Sequence, residues 1–431
     1  MNKEAHMKPY ASMTKDEQRA ELKSLQEKYA EIKAKGLSLN MARGKPSSEQ
    51  LDIISDMLTV LSKPEDCYDG KLDVRNYGEL LGIPSARALF ADILDTVPEK
   101  VIVGGSASLQ LMFDLISKAY THGLLHSPSP WAKLDKVKFL CPAPGYDRHF
   151  TVSSTFGMEL IYVPMTENGP DMDFVENAVN DPDVKGIWCV PKYSNPDGII
   201  YSAETINRFI HLRPAAPDFT IMWDNAYCIH EVIGDYVPFP DILSLAAAAG
   251  SEDMFYEFAS TSKVTYPGAG ISCMASSVAN VEHIKKILTA QIISYDKVNQ
   301  MRHVKYLKDK ATTLELMKKH AAVLGPKFLA VLDALDKEIA PLEIATWRRP
   351  KGGYFVSFYA MPGTAKRIFT LAKEAGLVMT NAGATYPYGK DPQDSNLRIA
   401  PSYPPLKDLE EAMVIFCVCV KIAALEKLLA E

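Results

Sequence analysis

Polar side chains able to do chemistry follow two apolar runs of the chain. Asp224 comes directly after Thr220–Trp223, and Tyr227 lies three residues further on. Lys263 follows Met254–Ala259 after a short Ser-Thr-Ser segment. A lysine amine can attack an aldehyde and form a Schiff base, while a nearby acid or phenol sets the protonation state of the reacting groups. The spacing therefore indicates a reactive centre built around Lys263.

The elements that position these residues alternate between short apolar runs and amphipathic segments. Near-continuous apolar strands, separated by helices, predict a mostly parallel sheet covered on both faces. Ligands of such sheets bind at the carboxyl ends of the strands, so we expect Asn195, Asp224 and Lys263 at the same edge. The predicted strands include Val101–Val103, Lys138–Cys141, Leu160–Val163, Gly186–Val190, Thr220–Trp223 and Met254–Ala259.

The two ends of the chain predict a second, smaller domain. Thr14 and Glu17 form a capping box that starts a helix, and Gly36 ends it. Near the other end we expect a strand within residues 352–358 and a helix from Leu406. The predicted division is therefore an N-terminal helix and covering segment (1–70), a large domain (71–310) and a small α+β domain (311–431) with which the N-terminal segment packs.

Composition excludes several classes of protein. The 431 residues are 23% charged and 47% hydrophobic, typical of a soluble two-domain protein. A formal net charge of −6 argues against nucleic acid as a main partner, and the apolar runs are too short to span a membrane. The seven cysteines have no metal-ligand spacing, and His230-Glu231 lacks the second histidine of a zinc protease helix. We therefore expect no metal and a cytoplasmic location.

An anion site is predicted directly after the first strand of the sheet. Val101–Val103 leads into two glycines and then Ser106, Ala107 and Ser108, which open a helix running to about Tyr120. Glycines let the backbone approach an anion, and the free amides of a helix N-terminus bind it. This segment is therefore a candidate phosphate site.

Taken together, the order Asn195, Asp224, Tyr227 and Lys263 resembles the cofactor-holding residues of the fold type I pyridoxal 5'-phosphate (PLP) enzymes, of which aminotransferases are the largest branch. The resemblance implies that Lys263 binds the cofactor aldehyde. It implies that Asp224 keeps the pyridine nitrogen protonated, so that the ring can take up negative charge. Tyr227 and Asn195 would donate hydrogen bonds to the phenolate oxygen of the ring.

Other segments are similar to the same family. Tyr146 matches the residue that stacks on the pyridine ring, and His149, three residues later, matches one that supports the aspartate. Arg398 lies in a segment like the one that clamps the substrate α-carboxylate. Gly44 matches the substrate-covering segment, and Tyr77 matches a tyrosine that reaches the cofactor phosphate of the partner subunit.

Two sets of residues follow from this resemblance. The implied cofactor-binding residues are Tyr77, Ser106, Ala107, Ser108, Tyr146, Asn195, Asp224, Tyr227, Ser260, Ser262 and Lys263, of which Asp224, Tyr227 and Lys263 are also catalytic. The predicted substrate-binding residues are Gly44, Asn195 and Arg398, with Arg43, Lys297 and Arg302 as candidates for a distal substrate carboxylate.

The chain looks most like the divergent bacterial aspartate aminotransferases related to MocR-type domains, on the strength of residues 144–150 and 263–270. It departs from most relatives at one point. They carry a phosphate-binding arginine seven or eight residues after the lysine, where this chain has Gly270 and Ile271. The phosphate charge must then be met by amides, hydroxyls or another cation.

The resemblance therefore implies a fold type I PLP-dependent aminotransferase whose large domain has a mostly parallel seven-stranded sheet between helices. We expect an obligate homodimer with shared active sites, using a ping-pong route with aspartate and 2-oxoglutarate as the favoured pair. One alternative is another reaction of the same fold type, such as aromatic or alanine-type transamination or C–S bond cleavage. The other is a PLP-binding domain of a transcriptional regulator, which would need a DNA-binding module ahead of residue 40.

Overall fold

The structure is a computed structural model that describes residues 8–431. The strands are β1 (Leu39–Asn40), β2 (Tyr68–Asp69), β3 (Leu72–Asp73), β4 (Val101–Val103), β5 (Lys138–Ala143), β6 (Glu159–Thr166), β7 (Gly169–Pro170), β8 (Val184–Cys189), β9 (Thr220–Asp224), β10 (Phe255–Ser260), β11 (Ser272–Ala275), β12 (Ala345–Trp347), β13 (Val356–Ala360), β14 (Leu377–Val378) and β15 (Asn396–Ile399).

The α-helices are α1 (Lys15–Ala34), α2 (Ser48–Asp52), α3 (Pro84–Ile93), α4 (Ser108–Thr121), α5 (Asp147–Thr155), α6 (Met172–Ala178), α7 (Ala203–Ile210), α8 (Ile242–Ala248), α9 (Val278–Gln291), α10 (Lys297–Leu307), α11 (Lys310–Glu338), α12 (Ala365–Glu374) and α13 (Leu406–Ala430). Short 3₁₀ turns lie between several of them. Within residues 8–431, no helix combines the length and the apolar character needed to cross a membrane.

The chain divides into two compact units. The large unit comprises Ser48–Ser194 and Ile199–Ala321. The small unit comprises the described residues up to Ser47, the short segment Asn195–Gly198, and Ala322–Glu431. Whether the predicted segments 1–70, 71–310 and 311–431 behave as separate domains stays a prediction.

The large unit is built on one eight-stranded sheet with the order β4-β11-β10-β9-β8-β5-β6-β7. Strands β10, β9, β8, β5 and β6 run parallel to one another, and β11 runs antiparallel to both β10 and β4. Each of the six predicted apolar runs overlaps one of these strands. The predicted seven-stranded, mostly parallel sheet is thus confirmed, and the two-residue β7 adds an eighth strand at the edge.

The central strands are buried along their whole length, as expected for a parallel sheet covered on both faces. Trp223 on β9 packs edge-on against the rings of Tyr201, Phe209 and Phe255. Side chains alternate between the faces of a strand, so Asp224, the next residue, points away from this aromatic cluster. In register, Asp224 pairs with Phe258 of β10, which places the ends of the two strands side by side.

The small unit contains the predicted terminal helices. Thr14 and Glu17 form the capping box of α1, and Gly36, with φ of 61°, follows its end. The helix α13 begins at Leu406, as predicted, and packs against α1 and α12. The strands β12, β13 and β15 form an antiparallel sheet, and β1 pairs with β14.

One predicted strand boundary is wrong. The strand expected within residues 352–358 begins at Val356 and continues to Ala360. Gly353 has φ of 81°, a left-handed conformation that a strand does not accommodate. Gly353 therefore lies in a bend ahead of β13 rather than in the strand.

Candidate active site

In the large unit, the carboxylate of Asp224 has one bound oxygen and one without a partner. Its Oδ2 accepts a hydrogen bond from His149 Nε2 at 2.9 Å, and both side chains are buried. Asp224 Oδ1 is also buried, yet no donor within residues 8–431 reaches it. A buried carboxylate oxygen without a donor destabilises the fold, so this atom is suited to a donor that the chain does not supply.

The imidazole that supports Asp224 is itself held in place. The ring of His149, on α5, stacks on Trp188 with centroids 4.3 Å apart and planes at 7°. Trp188 Nε1 donates to Ser153 Oγ at 2.9 Å. The ring of Tyr146, at the start of α5, meets the His149 ring edge-on, with centroids 5.0 Å apart. The predicted residues Tyr146, His149 and Asp224 therefore form one contiguous group.

Lys263 follows β10 and is partly buried. Burial lowers the pKa of its amine, and the carboxylate of Asp224 opposes this shift. Its Nζ lies 4.8 Å from the ring centroid of the buried Tyr227. A lowered amine pKa raises the fraction of the neutral, nucleophilic form at neutral pH. The structure thus brings together the amine, the phenol and the acid that the sequence singled out.

A buried histidine braces the segment that carries Lys263. His303, on α10, binds the hydroxyls of Thr261 and Thr265 through Nε2, at 3.1 and 2.9 Å. Its Nδ1 lies 2.8 Å from the carbonyl oxygen of Asn299. Because a carbonyl oxygen can only accept, Nδ1 carries the hydrogen, and in the neutral ring Nε2 accepts from the two hydroxyls. Burial lowers the pKa of His303 to about 4. The neutral ring therefore ties both flanks of Lys263 to α10.

A second brace joins the segment before Asn195 to the loop after Tyr227. The fully buried Lys192 donates to the carbonyl oxygens of Cys228 and Val237, at 2.8 and 2.6 Å. It also pairs with Glu231 at 2.6 Å. The glutamate of the zinc-protease-like dipeptide thus has a structural partner.

The candidate phosphate segment lies at the start of α4. Ala107 is the N-cap residue and makes no side-chain cap, so the first amides of this helix are not covered by its side chain. Ser262 Oγ donates to the Ser106 carbonyl at 3.3 Å, and Ser260 Oγ donates to Ser262 Oγ at 3.1 Å. Ser108 is the first residue of the helix. Ser260 and Ser262 are therefore connected, through the Ser106 carbonyl, to the segment that precedes this helix N-terminus.

Gly270 is one of the two positions at which most relatives carry the phosphate-binding arginine. A Cβ at Gly270 would lie 3.1 Å from Thr261 Oγ1 and 3.2 Å from the Ser106 carbonyl, which is tighter than ordinary packing. Gly270 is therefore packed directly against the segment that carries Ser106, and a side chain here would require these neighbours to shift.

In the small unit, Arg398 on β15 is buried and its guanidinium is oriented from several sides. Nη1 donates to Asn195 Oδ1 at 3.3 Å and Nη2 donates to Thr380 Oγ1 at 3.2 Å. The guanidinium lies over the ring of Phe355, 4.6 Å from its centroid. A planar guanidinium held in this way is suited to a two-bond clamp on a carboxylate.

Two further contacts fix the surroundings of Arg398. A Cβ at Gly44 would lie 2.6 Å from the Phe355 ring, so only glycine allows this approach. Asp197 accepts a 2.6 Å hydrogen bond from Tyr359, which holds the segment Asn195–Gly198 on β13. Two predicted residues thus help to position the Arg398 guanidinium: Asn195 accepts a hydrogen bond from it, and Gly44 packs on the Phe355 ring beneath it.

The other predicted residues differ in their exposure. The Tyr77 side chain is 79% exposed and makes no hydrogen bond within residues 8–431. Arg43 is exposed and Arg302 is half-buried. Lys297 is only 3% exposed, and no acceptor in the described chain reaches its Nζ.

Several residues that support the site were not predicted. Thr380 and Phe355 orient Arg398, while His303 and Glu231 brace the loops of the large unit. Each is an ordinary residue type at a position without a recognisable motif. The one available signal was the pair Thr261 and Thr265, whose symmetric spacing about Lys263 could have suggested a shared partner.

The comparisons with known proteins agree with this geometry. A family model for aspartate amino-transferase matches residues 13–431. An aspartate aminotransferase of Corynebacterium glutamicum is 45% identical over 402 residues, which cover 93% of each chain. The crystal structure of an aspartate transaminase from the same species has a TM-score of 0.93 at 44% identity, covering 96% of this chain and 97% of that one.

A more distant structure shows the fold alone. The α-aminoadipate aminotransferase of Thermus thermophilus, complexed with N-(5'-phosphopyridoxyl)-L-leucine, has a TM-score of 0.73 at 23% identity and covers 91% of this chain and 93% of that one. The fold is that of the fold type I PLP enzymes. The chain belongs to the aspartate amino-transferase family and is an aminotransferase.

Proposed function

We propose that this aminotransferase uses PLP and transfers the amino group between L-aspartate and 2-oxoglutarate by a ping-pong route. The substrate choice is supported by the name and 45% identity of the Corynebacterium relative. The observation that carries the cofactor is the buried, unpartnered Oδ1 of Asp224, which is suited to the N–H of a protonated pyridine ring. A lysine of lowered pKa nearby and a helix N-terminus without a side-chain cap also fit PLP.

The residues of the large unit would divide the work around this cofactor. When bound, PLP supplies a ring that takes up negative charge from the substrate Cα. Asp224 would keep the ring nitrogen protonated. Lys263 Nζ would hold the cofactor, and its amine would move the proton from the substrate Cα. Tyr227 would donate to the phenolate oxygen, and Tyr146 would lie against the ring face.

The phosphate would be bound by amides and hydroxyls rather than by an arginine. Ser106, Ala107 and Ser108 contribute the start of α4, where partial positive charge favours an anion. Ser260 and Ser262 contribute the hydroxyls connected to that segment. This set needs no side chain at Gly270.

Arg398 would bind the substrate α-carboxylate with Asn195 beside it, and Gly44 would cover the substrate. A dicarboxylic substrate needs a further cation. The candidates are Arg43, Lys297 and Arg302. Neutralising the right one should raise KM for aspartate and spare alanine. Equal effects on both substrates from all three variants would reject the assignment.

A half-reaction screen tests the proposed substrate. The holoenzyme is mixed with one amino acid at a time, without any 2-oxo acid, and the cofactor absorbance is followed. We expect the fastest change with aspartate and regeneration by 2-oxoglutarate. A faster change with aromatic amino acids or alanine would assign another transaminase specificity, and release of a thiol or of ammonia would indicate a lyase.

We also propose a cytoplasmic homodimer with shared active sites, in which Tyr77 reaches the cofactor phosphate of the partner. The high exposure of Tyr77 and the seven free cysteines support these assignments. Mixing inactive Tyr77→Ala and Lys263→Ala subunits gives about half hybrids with one intact site, so roughly a quarter of wild-type activity should return. If hybrids form without recovery, Tyr77 acts in its own subunit.

A further inference from the structure

A second acid lies one strand away from Asp224, and the proposed reaction does not use it. Glu257, on β10, is 2% exposed. Its Oε1 accepts a hydrogen bond from Asn225 Nδ2 at 2.8 Å. Its Oε2 is buried, and no donor within residues 8–431 reaches it. An ionised carboxylate in this position would leave one charged oxygen unsatisfied, which is strongly unfavourable.

The side-chain amide of Asn225, which donates to Glu257, also has one atom without a hydrogen bond in the described chain. Asn225 Oδ1 is buried and also lacks a hydrogen bond within the described part of the chain. A carboxamide and a carboxylic acid can form a cyclic pair with two hydrogen bonds. The amide N–H donates to one acid oxygen, and the acid O–H donates to the amide oxygen. One of these bonds is present, and the two unpartnered atoms are the two that the other bond would join.

We propose that Glu257 carries a proton on Oε2 and donates it to Asn225 Oδ1, closing a two-bond pair that positions the turn from Asp224 to Tyr227. Asn225 is suited to this role because it follows Asp224 directly. Its backbone N–H also donates to the Phe258 carbonyl at 2.8 Å, on the same strand as Glu257. Glu257 is thus a positioning residue, and its effect on catalysis rests on the proposed function of Asp224 and Tyr227.

The surroundings of Glu257 favour the neutral acid. The titratable groups that face it are themselves acids, namely the carboxyls of Asp95 and Asp241 and the thiols of Cys228 and Cys273. Burial first, and then Asp241 and Asp95, raise the pKa of Glu257 to about 8, although the bond from Asn225 opposes the shift.

The pH dependence follows from this direction. Since the folded pKa lies above the unfolded value of 4.5, the contribution of the pair to stability is complete at low pH. It is lost as the pH rises towards and through 8. The proton then leaves to solvent, and the carboxylate oxygen and the amide oxygen face each other with no hydrogen between them.

The matched variant is Glu257→Gln. Glutamine has the same shape, cannot ionise, and can make the same two bonds as an amide–amide pair. We expect the thermal midpoint of the wild-type holoenzyme to fall relative to that of E257Q as the pH rises from 7 to 9. Cofactor release from the wild type should increase about tenfold over this range, because only about a tenth of the acid stays protonated one unit above its pKa. Cofactor release from E257Q should change less than about threefold.

Infrared difference spectroscopy on the holoenzymes provides a readout independent of catalysis. Wild type minus E257Q at pH 7 should contain a protonated carboxylic acid C=O band that disappears above pH 9. Glu257→Met, which makes neither bond, should release cofactor faster than wild type at every pH.

Absence of the band, or the same pH dependence in wild type and E257Q, would overturn the proposal. A band with the expected pH dependence but no effect on cofactor retention would preserve the acid–amide pair while rejecting its link to Asp224. That outcome separates the inference from the proposed function.

Discussion

The two groups of predicted residues are built in different ways. In the large unit, Asp224 and Lys263 stand at or just after the ends of adjacent parallel strands. Their positions follow from the sheet. In the small unit, the surroundings of Arg398 are assembled from Gly44, Asn195 and Thr380, which are far apart in sequence and belong to segments outside its own strand.

The physical task also differs. The large unit sets protonation states, since it lowers the pKa of Lys263 and gives Asp224 a buried imidazole partner. The small unit sets orientation, since two hydrogen bonds and the Phe355 ring fix the plane of the Arg398 guanidinium. Changes in the large unit should therefore affect kcat and cofactor retention, whereas changes in the small unit should mainly affect KM for the amino acid.

The largest expected effect is that of Lys263→Ala. Loss of the amine removes both the covalent attachment and the base, so we expect kcat/KM to fall by at least about a thousandfold, or ~4 kcal/mol. Borohydride reduction of the wild-type holoenzyme, followed by peptide mapping, should place the cofactor mass on the Lys263 peptide. Lys286→Ala, at an exposed position of α9, is the matched control and should keep full activity. Label on Lys192 would contradict the assignment.

Asp224→Asn should lower kcat by about a hundredfold or more while the fold persists, because a neutral pyridine ring is a poor acceptor of negative charge and a charge-assisted bond is lost. His149→Gln leaves the carboxylate in place and should lower kcat less. Steady-state kinetics with the cofactor content of each variant would show the order. A D224N enzyme within about threefold of wild type would contradict the role of this carboxylate.

Arg398→Lys tests the orientation role of the small unit. Lysine keeps the charge but cannot form a planar two-bond clamp or lie flat on Phe355, so KM for the amino acid should rise by roughly tenfold or more. Thr380→Val removes one bond to the guanidinium and should raise KM by only about threefold. Cofactor affinity should stay unchanged in both. A fall in kcat with unchanged KM would remove the distinction between the two units.

The same difference explains what the sequence could predict. Local patterns fix the strands of the large unit, so the polar residues after Thr220–Trp223 and Met254–Ala259 could be placed at one edge of the sheet. The capping box at Thr14 and the helix from Leu406 are local patterns too. The strands of the large sheet, the capping box and the start of the last helix, each of which depends on adjacent residues, were therefore confirmed.

Contacts that depend on distant segments could not be predicted. Nothing near Thr380 or Phe355 in the chain indicates that they meet Arg398. The pairing of Glu257 with Asn225 likewise depends on the register of β10 against β9 rather than on either sequence alone. The boundary of β13 was wrong because the conformation of Gly353 cannot be read from its identity.

The brace around Lys263 should affect stability rather than catalysis. His303 is fully buried with a pKa of about 4, below the ordinary value of 6.5. As the pH falls from 6.5 towards 4, the unfolded chain takes up a proton that the folded chain does not, so stability decreases. This one group should lower the free energy of unfolding by roughly 2 kcal/mol between pH 7 and pH 5.

His303→Gln cannot titrate, so its denaturation midpoint should fall less steeply over this range, even if its stability at pH 7 is lower. The buried His230 and His320, whose pKa values are also lowered, remain in both proteins and provide the common background. Equal slopes for wild type and H303Q would show that the pKa of His303 is the same in the folded and the unfolded chain, and would rule out a neutral, buried ring as the brace.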